Sequence, residues 1–223
     1  MQDLKTEALV LRRTNFGETD RVLSILTPEG KKSVMAKGAR KERSKLAGGI
    51  EMFCLSDVVL HFGKGDLAVL TSAKQKRFYR NLLVDIDTLE MAGEITKRVS
   101  KAAEQADNPE FFSILKSVFE ALDDRKSPET ILTWFYFNLA KAMGEQMNLI
   151  YDGDGNKLMA SEVYSWDSME KVLKINPAGK IGANEIKMMR LMTSLDLHLV
   201  LIIKDAAEMM PELLYIARTL NQL

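Results

Sequence analysis

Turn-forming residues interrupt the first eighty positions at intervals too short for helices of ordinary length. Asn15-Phe16-Gly17, Pro28-Glu29-Gly30 and Gly63-Lys64-Gly65-Asp66 part short apolar runs at residues 9–13, 22–27, 33–36, 53–62 and 67–72. Glycine supplies turn conformations that other residues avoid, so each cluster reads as a stop. In the fourth run Phe53, Leu55 and Val59 lie on one strand face and Cys54, Val58, Leu60 and Phe62 on the other. A strand apolar on both faces belongs inside a barrel or sandwich. Gly63-Lys64-Gly65-Asp66 is expected to close a hairpin between the last two strands. Five short strands at this spacing predict a small closed barrel of the oligonucleotide-binding (OB) type over residues 1–80.

Beyond residue 80 the hydrophobic period changes from two to that of a helix. Helices are expected over 87–106, 110–122, 129–147, 184–192 and 211–220, with the apolar stretch 197–203 between the last two. Asn108-Pro109 and Ser127-Pro128 each set a capping side chain before a proline at the first helical position. Ile131, Trp134, Phe135, Leu139 and Ala142 share one helix face, and such an aromatic stripe is read as core. Residues 148–182 are rich in loop formers. The expected fold class is α+β: an OB barrel over 1–80, then an all-helical domain over 81–223.

A net charge of zero conceals a division between these halves. Residues 1–80 hold 16 Lys and Arg against 9 Asp and Glu, a balance of +7, and residues 81–223 hold 15 against 22, a balance of −7. Such asymmetry points to a polyanion as partner of the first half. Seven bases crowd residues 31–45 (Lys31, Lys32, Lys37, Arg40, Lys41, Arg43, Lys45) with Glu42 as the single acid. Closely spaced cations release condensed counterions from nucleic acid, which makes this stretch a candidate phosphate-binding patch. The competing reading is a solvated basic loop with no partner. Further along, Lys76-Arg77-Phe78-Tyr79-Arg80 interleaves bases with rings suited to stacking on unpaired nucleobases, against which stands packing of Phe78 and Tyr79 at the junction of barrel and helices.

Catalytic signatures are lacking. The two histidines, His61 and His198, read as structural. Gly30-Lys31-Lys32-Ser33 fails as a phosphate loop, because Ile25 stands where the first glycine belongs and Lys32 displaces Ser33 from Lys31. Asp152-Gly153-Asp154-Gly155-Asn156 opens like a calcium loop, but Lys157 and Val163 occupy the places of its glycine and glutamate. It is read as a turn. One cysteine, Cys54, permits neither an internal disulfide nor a cysteine zinc cage. No metal, cofactor or enzymatic activity is expected. The longest apolar run, residues 199–203, falls far short of the roughly 20 residues that span a bilayer, and the opening residues do not read as a signal peptide. The expected location is cytoplasmic, in association with the nucleoid, with no membrane partner.

The stretch Ala36-Lys37-Gly38-Ala39-Arg40-Lys41, followed by Ser44-Lys45-Leu46-Ala47-Gly48 and Phe53, resembles the signature of the RecO family of DNA repair and recombination mediators. Val10-Leu11-Arg12-Arg13, Phe16-Gly17-Glu18-Thr19-Asp20-Arg21-Val22-Leu23 and Gly63-Lys64-Gly65-Asp66-Leu67 are similar to its opening strands and its hairpin. The resemblance covers about residues 5–75 and implies the same OB barrel followed by helices. It also implies a non-enzymatic DNA-binding protein that takes single- and double-stranded DNA and anneals complementary strands. With the partner RecR, such a protein helps load RecA on strands coated by single-stranded-DNA-binding protein. Lys37, Arg40, Lys41 and Lys45 fall within the matching motif and are the leading phosphate contacts. Arg12, Arg13, Arg21, Lys31, Lys32 and Arg43 follow by charge and proximity, with Lys76 and Arg77 beside the rings.

In many family members a four-cysteine zinc module follows the long helix. Here residues 148–182 lack cysteine, so Tyr151 to Asn156, Trp166 and Pro177 to Gly182 are expected to hold that region by packing and turns. Met188, Met189 and Met192 are candidate linings of a partner groove for the acidic tail of single-stranded-DNA-binding protein, with Lys187, Arg190 and Lys204 as its cations. The alternatives are an RNA-binding or ribosome-associated OB-fold factor and a protein-interaction adaptor whose basic loop is incidental. A hydrolase stands further off.

Overall fold

Gly17 (φ +55°) and Gly30 (φ +91°) occupy the left-handed region that their turns require, and each closes a hairpin at the place the sequence marks. A computed structural model of the chain describes residues 2–63, 67–204 and 206–221. In it β1 (Gln2–Phe16), β2 (Asp20–Thr27), β3 (Gly30–Ala36), β4 (Cys54–Phe62) and β5 (Ala68–Phe78) form a closed barrel of order β1-β2-β3-β5-β4. All pairings are antiparallel except β3 with β5. That topology is the OB arrangement expected from the strand spacing. Residues 64–66 of the expected β4–β5 turn lie outside the described residues.

Two strands run beyond their apolar runs for a topological reason. β1 pairs with β4 through residues 2–9 and with β2 through residues 9–16, and a register shift between Val10 and Arg12 bends it from one neighbour to the other. Its first half is polar enough to hide from a pattern search. β5 continues past residue 72 through Lys74, Gln75 and Lys76, all exposed. Inside the barrel Leu23, Ile25, Val34, Ala36, Val58 and Leu60 are buried, and Ala39 and Ile50 of the β3–β4 connection close one end.

The chain divides into two compact units, Met1–Asp124 and Arg125–Leu223. The first therefore extends well past the barrel expected over 1–80. Helices α1 (Ile86–Gln105) and α2 (Glu110–Asp123) belong to it, because they cover barrel surface that would otherwise be wet. Phe119 of α2 meets Phe53 and Tyr79 edge to face, at centroid distances of 5.5 and 5.6 Å. Phe53 precedes β4 in the left-handed region (φ +57°), an uncommon conformation for a bulky residue, held here by burial of its ring. The Asp123 carboxylate accepts from the Asn81 backbone, and the Asn81 amide donates to the Asp123 carbonyl.

The second unit is built on α3 (Pro128–Ala142), capped by Ser127 as expected. The stripe of Ile131, Trp134, Phe135, Leu139 and Ala142 is buried, and Tyr136, Phe137 and Ala140 are buried with it, so burial reaches well beyond the stripe. It ends at Ala142, short of residue 147, where Gly144 (φ +82°) turns the chain. α4 (Ala183–Ser194), the single turn α5 (Leu197–Val200) and α6 (Met210–Leu220) complete the helices.

The all-helical expectation for this part needs correction. β6 (Tyr164–Asp167) and β7 (Val172–Ile175) form an antiparallel hairpin inside the stretch read as loop. Four-residue strands are too short to show a period against their polar flanks. Trp166 Nε1 donates to Thr219 Oγ1 of α6 (2.8 Å), and the buried Tyr164 hydroxyl accepts from the Met159 backbone (2.8 Å). A Cβ on Gly179 would collide with the Tyr164 carbonyl. These contacts tie the hairpin to α6 and order the turns beside it.

Candidate nucleic-acid interface

The β3–β4 connection carries alternating instructions, apolar residues inward and bases outward. Ala39 and Ile50 are buried and Leu46 packs half-buried on the barrel core, while Lys37, Arg40, Lys41, Arg43 and Lys45 are exposed. A β-carbon on Gly49 would sit 2.5 Å from the Ala73 carbonyl oxygen, so only glycine lets the loop lie this close to β5. Gly38 (φ +63°) begins the turn that brings the Lys41 N–H to its carbonyl.

This loop is tied to the β1–β2 hairpin tip at three points. Asp20 Oδ1 accepts from the Gly38 N–H (2.7 Å), the Arg40 N–H donates to the Thr19 carbonyl (2.8 Å), and Arg40 Nη1 donates to the Gly17 carbonyl (3.1 Å). Asp20 also accepts from the Thr19 hydroxyl. The Gly38 N–H above all, then the Thr19 hydroxyl, hold the Asp20 carboxyl below its usual range. Asp20 was absent from the residues expected to build the site. Its only signal in the sequence is its place in the Glu18-Thr19-Asp20-Arg21 segment of the family resemblance.

Twelve cations were expected to contact DNA, and the fold sorts them by partner. Among the described residues Lys37, Lys41, Arg43 and Lys45 make no ion pair and no side-chain hydrogen bond, and the same holds for Arg12, exposed on β1 opposite Ser24. Among the described residues the Arg40 side chain binds only the Gly17 carbonyl. Arg21 stands half-buried at the root of the loop, opposite Ala36, with its Nε unpartnered among the described residues. These seven bring positive charge to the hairpin tip, the loop and the adjoining strands.

The remaining five are engaged within the first unit. Lys31 pairs with Glu104 and donates to the Ser100 carbonyl (3.2 Å) and hydroxyl (2.9 Å), which ties β3 to α1. Arg13 pairs with Glu51, and Lys32 donates to the Glu29 carbonyl (3.0 Å). Lys76 pairs with Glu7, and its hydrogen bond is the main cause holding that carboxyl below its usual range. Arg77 pairs with Asp123 (3.0 Å) and Asp124 (3.3 Å) and lies over the Tyr79 ring.

Of the rings beside Arg77, Tyr79 serves packing. Tyr79 is fully buried, with its phenol pushed upward by that burial, and Phe78 is half-buried. Tyr79 therefore presents no face to a nucleobase. Met188, Met189 and Met192 are likewise buried, so they line no open groove. Arg190 donates to the Leu149 carbonyl, whereas Lys187 and Lys204 are exposed. His61 pairs with Asp3 (2.7 Å), and His198 is exposed on α5. In the Asp152 turn Oδ1 accepts from the Asp154 and Asn156 backbones. No helix among the described residues is long and apolar enough to cross a membrane.

Comparison with known proteins meets this geometry at the same residues. The family model of the N-terminal domain of recombination protein O matches residues 1–79, the span of the five-stranded barrel. The barrel is similar to the N-terminal domain of the RecO family. Similar curated proteins include the DNA repair protein RecO of Dehalococcoides mccartyi (strain CBDB1), 36% identical over 151 residues that cover 66% of this chain and 58% of that protein. That of Roseiflexus sp. (strain RS-1) is 36% identical over 146 residues, or 65% and 51% of the two chains. That of Alkaliphilus metalliredigens (strain QYMF) is 33% identical over 149 residues, or 66% and 60%. The matched stretches thus span between half and three fifths of these relatives. In this barrel Lys37, Lys41, Arg43 and Lys45, which form no ion pair among the described residues, lie on the loop that carries the family-like motif.

Proposed function

We propose that this protein is a DNA repair and recombination mediator whose barrel binds single- and double-stranded DNA through the β3–β4 loop. The observation that carries this reading is the set Lys37, Lys41, Arg43 and Lys45, exposed and in no ion pair among the described residues, on a RecO-type barrel. Phosphates replace the missing carboxylates, and the cations screen repulsion between two strands so that complementary bases meet. Annealing needs charge neutralisation and proximity, with no bond made or broken, so the protein acts as a mediator rather than an enzyme. RecR, RecA loading and the acidic tail of single-stranded-DNA-binding protein extend the same reading to partners. The work would take place in the cytoplasm, at the nucleoid.

Fluorescence anisotropy of a labelled single strand across a salt series tests it. Changing Lys37, Arg40, Lys41 and Lys45 together to Ala should weaken binding and flatten the log–log salt slope by roughly 3, from about 0.7 per phosphate contact. Equal slopes and affinities would remove the loop from DNA binding. An annealing assay with complementary oligonucleotides, run beside a structured RNA competitor, then separates a mediator from an RNA-binding factor.

A further inference from the structure

Phe16 is an apolar ring placed where the barrel is otherwise polar. It is 56% exposed, beside exposed Asn15, Gly17 and Glu18, and it is the last residue of β1, opposite Asp20. Single exposed hydrophobic residues are common and call for no explanation on their own. What distinguishes Phe16 is its setting. The next carbonyl along the chain, that of Gly17, receives the Arg40 guanidinium, and Asp20 across the strand pair receives the Gly38 N–H. The ring therefore stands on a tip bound to the cationic loop on both sides, with its backbone held before any ligand arrives. Phe62, also exposed, lies on β4 opposite Gln2, at the far end of β1 from this loop.

From this juxtaposition we propose that Phe16 is a stacking platform for an unpaired nucleobase whose flanking phosphates lie on the β3–β4 loop. The proposal rests on the DNA-binding reading of that loop and adds the class of ligand, single-stranded nucleic acid with accessible base faces. Cations alone take any polyanion, and an aromatic face alone takes any flat apolar group. A ring adjoining unpartnered cations suits a ligand that alternates planar bases with phosphates. Glu18 at the tip itself disfavours a phosphate there, which leaves that position to the base. Phe16 thus takes the stacking role expected of Tyr79, whose ring the fold turns to packing against Phe119.

Two probes of equal length separate base from phosphate: a labelled dT oligonucleotide and the same backbone made of abasic units. The wild-type chain should favour the dT strand. Phe16→Ala should weaken dT binding roughly 5- to 100-fold, the range of one base–aromatic stack. It should leave abasic-strand and duplex affinity and the salt slope unchanged. Phe16→Trp should keep the dT preference, while Phe16→Leu, apolar but without a π face, should lose it. If Phe16→Ala binds dT as the wild type does while the four-cation variant still shows a flatter slope, the platform is overturned and the phosphate reading survives. If the four-cation variant also binds as the wild type does, both readings fail.

Discussion

The barrel wall and the β3–β4 loop are both rich in lysine and arginine, and the fold uses them in opposite ways. On the wall Arg13, Lys31, Lys76 and Arg77 each meet a carboxylate, and two of these pairs join strands to α1 or α2. On the loop Lys37, Lys41, Arg43 and Lys45 form no ion pair among the described residues, and Lys37 and Lys41 act on the Asp20 carboxylate only at longer range. A lysine already paired has lost much of its field to its partner and would have to break that contact to bind a phosphate. An unpaired lysine keeps its full charge for a ligand. Positive charge counted along a sequence therefore overstates the charge a surface offers.

The sharpest way to break this contrast is to undock the helices that engage the wall. Phe119→Ala removes a fully buried ring that meets two others edge to face, and should cost about 3–5 kcal/mol of stability. Urea denaturation of the full chain reads it, and a loss below about 1 kcal/mol would mean that α2 is not part of the barrel's core.

A paired and an unpaired lysine can then be compared directly. Lys31→Ala should cost about 1 kcal/mol, from its buried stem and its hydrogen bonds to Ser100, and leave the salt slope of DNA binding in place. Lys41→Ala should leave thermal stability within about 0.5 kcal/mol and flatten the slope by about 0.7. Exchange of these two outcomes would reverse the comparison.

Asp20 gives a smaller but more discriminating effect. Asp20→Ala removes a negative charge next to the loop, so charge counting alone predicts tighter DNA binding. Loss of the Gly38 N–H acceptor instead frees the loop, and affinity should fall about two- to fivefold. The same anchor should respond weakly to acid. Because the Asp20 carboxyl is held below its ordinary range, its contribution is complete above the unfolded-state value near about pH 4. It is lost as pH falls through the lower folded-state value. The protection factor of the Gly38 amide, its exchange rate referred to the intrinsic rate at the same pH, should therefore fall on acidification in the wild type and show no such step in Asp20→Ala.

Much of the architecture was legible because its causes are local. Gly17 and Gly30 stand at turns that need their conformational freedom, and the inward residues of β2, β3 and β4 show as apolar runs. Ser127 before Pro128 marks the start of α3, and the helix face from Ile131 to Ala142 is core. The motif that resembles the RecO family located the loop. Elsewhere the local signal failed. The ends of β1 and β5 are polar because one long strand serves two neighbours and the other ends in exposed residues. The hairpin of Tyr164–Asp167 and Val172–Ile175 is too short to display a period.

Which cation was free and which ring was open could not be read in the same way. Lys31 and Lys37 are both bases six residues apart on one basic stretch, yet only Lys31 lies across from the end of α1, where Ser100 and Glu104 receive it. Tyr79 and Phe16 are both aromatic residues near arginines, yet Phe119 comes from forty residues away to cover Tyr79, and nothing among the described residues covers Phe16. Turns, periods and caps depend on neighbours in the chain, so the order of residues carries them. Ion pairing and exposure depend on neighbours in space, and the barrel's closure with α1 and α2 against it chooses those.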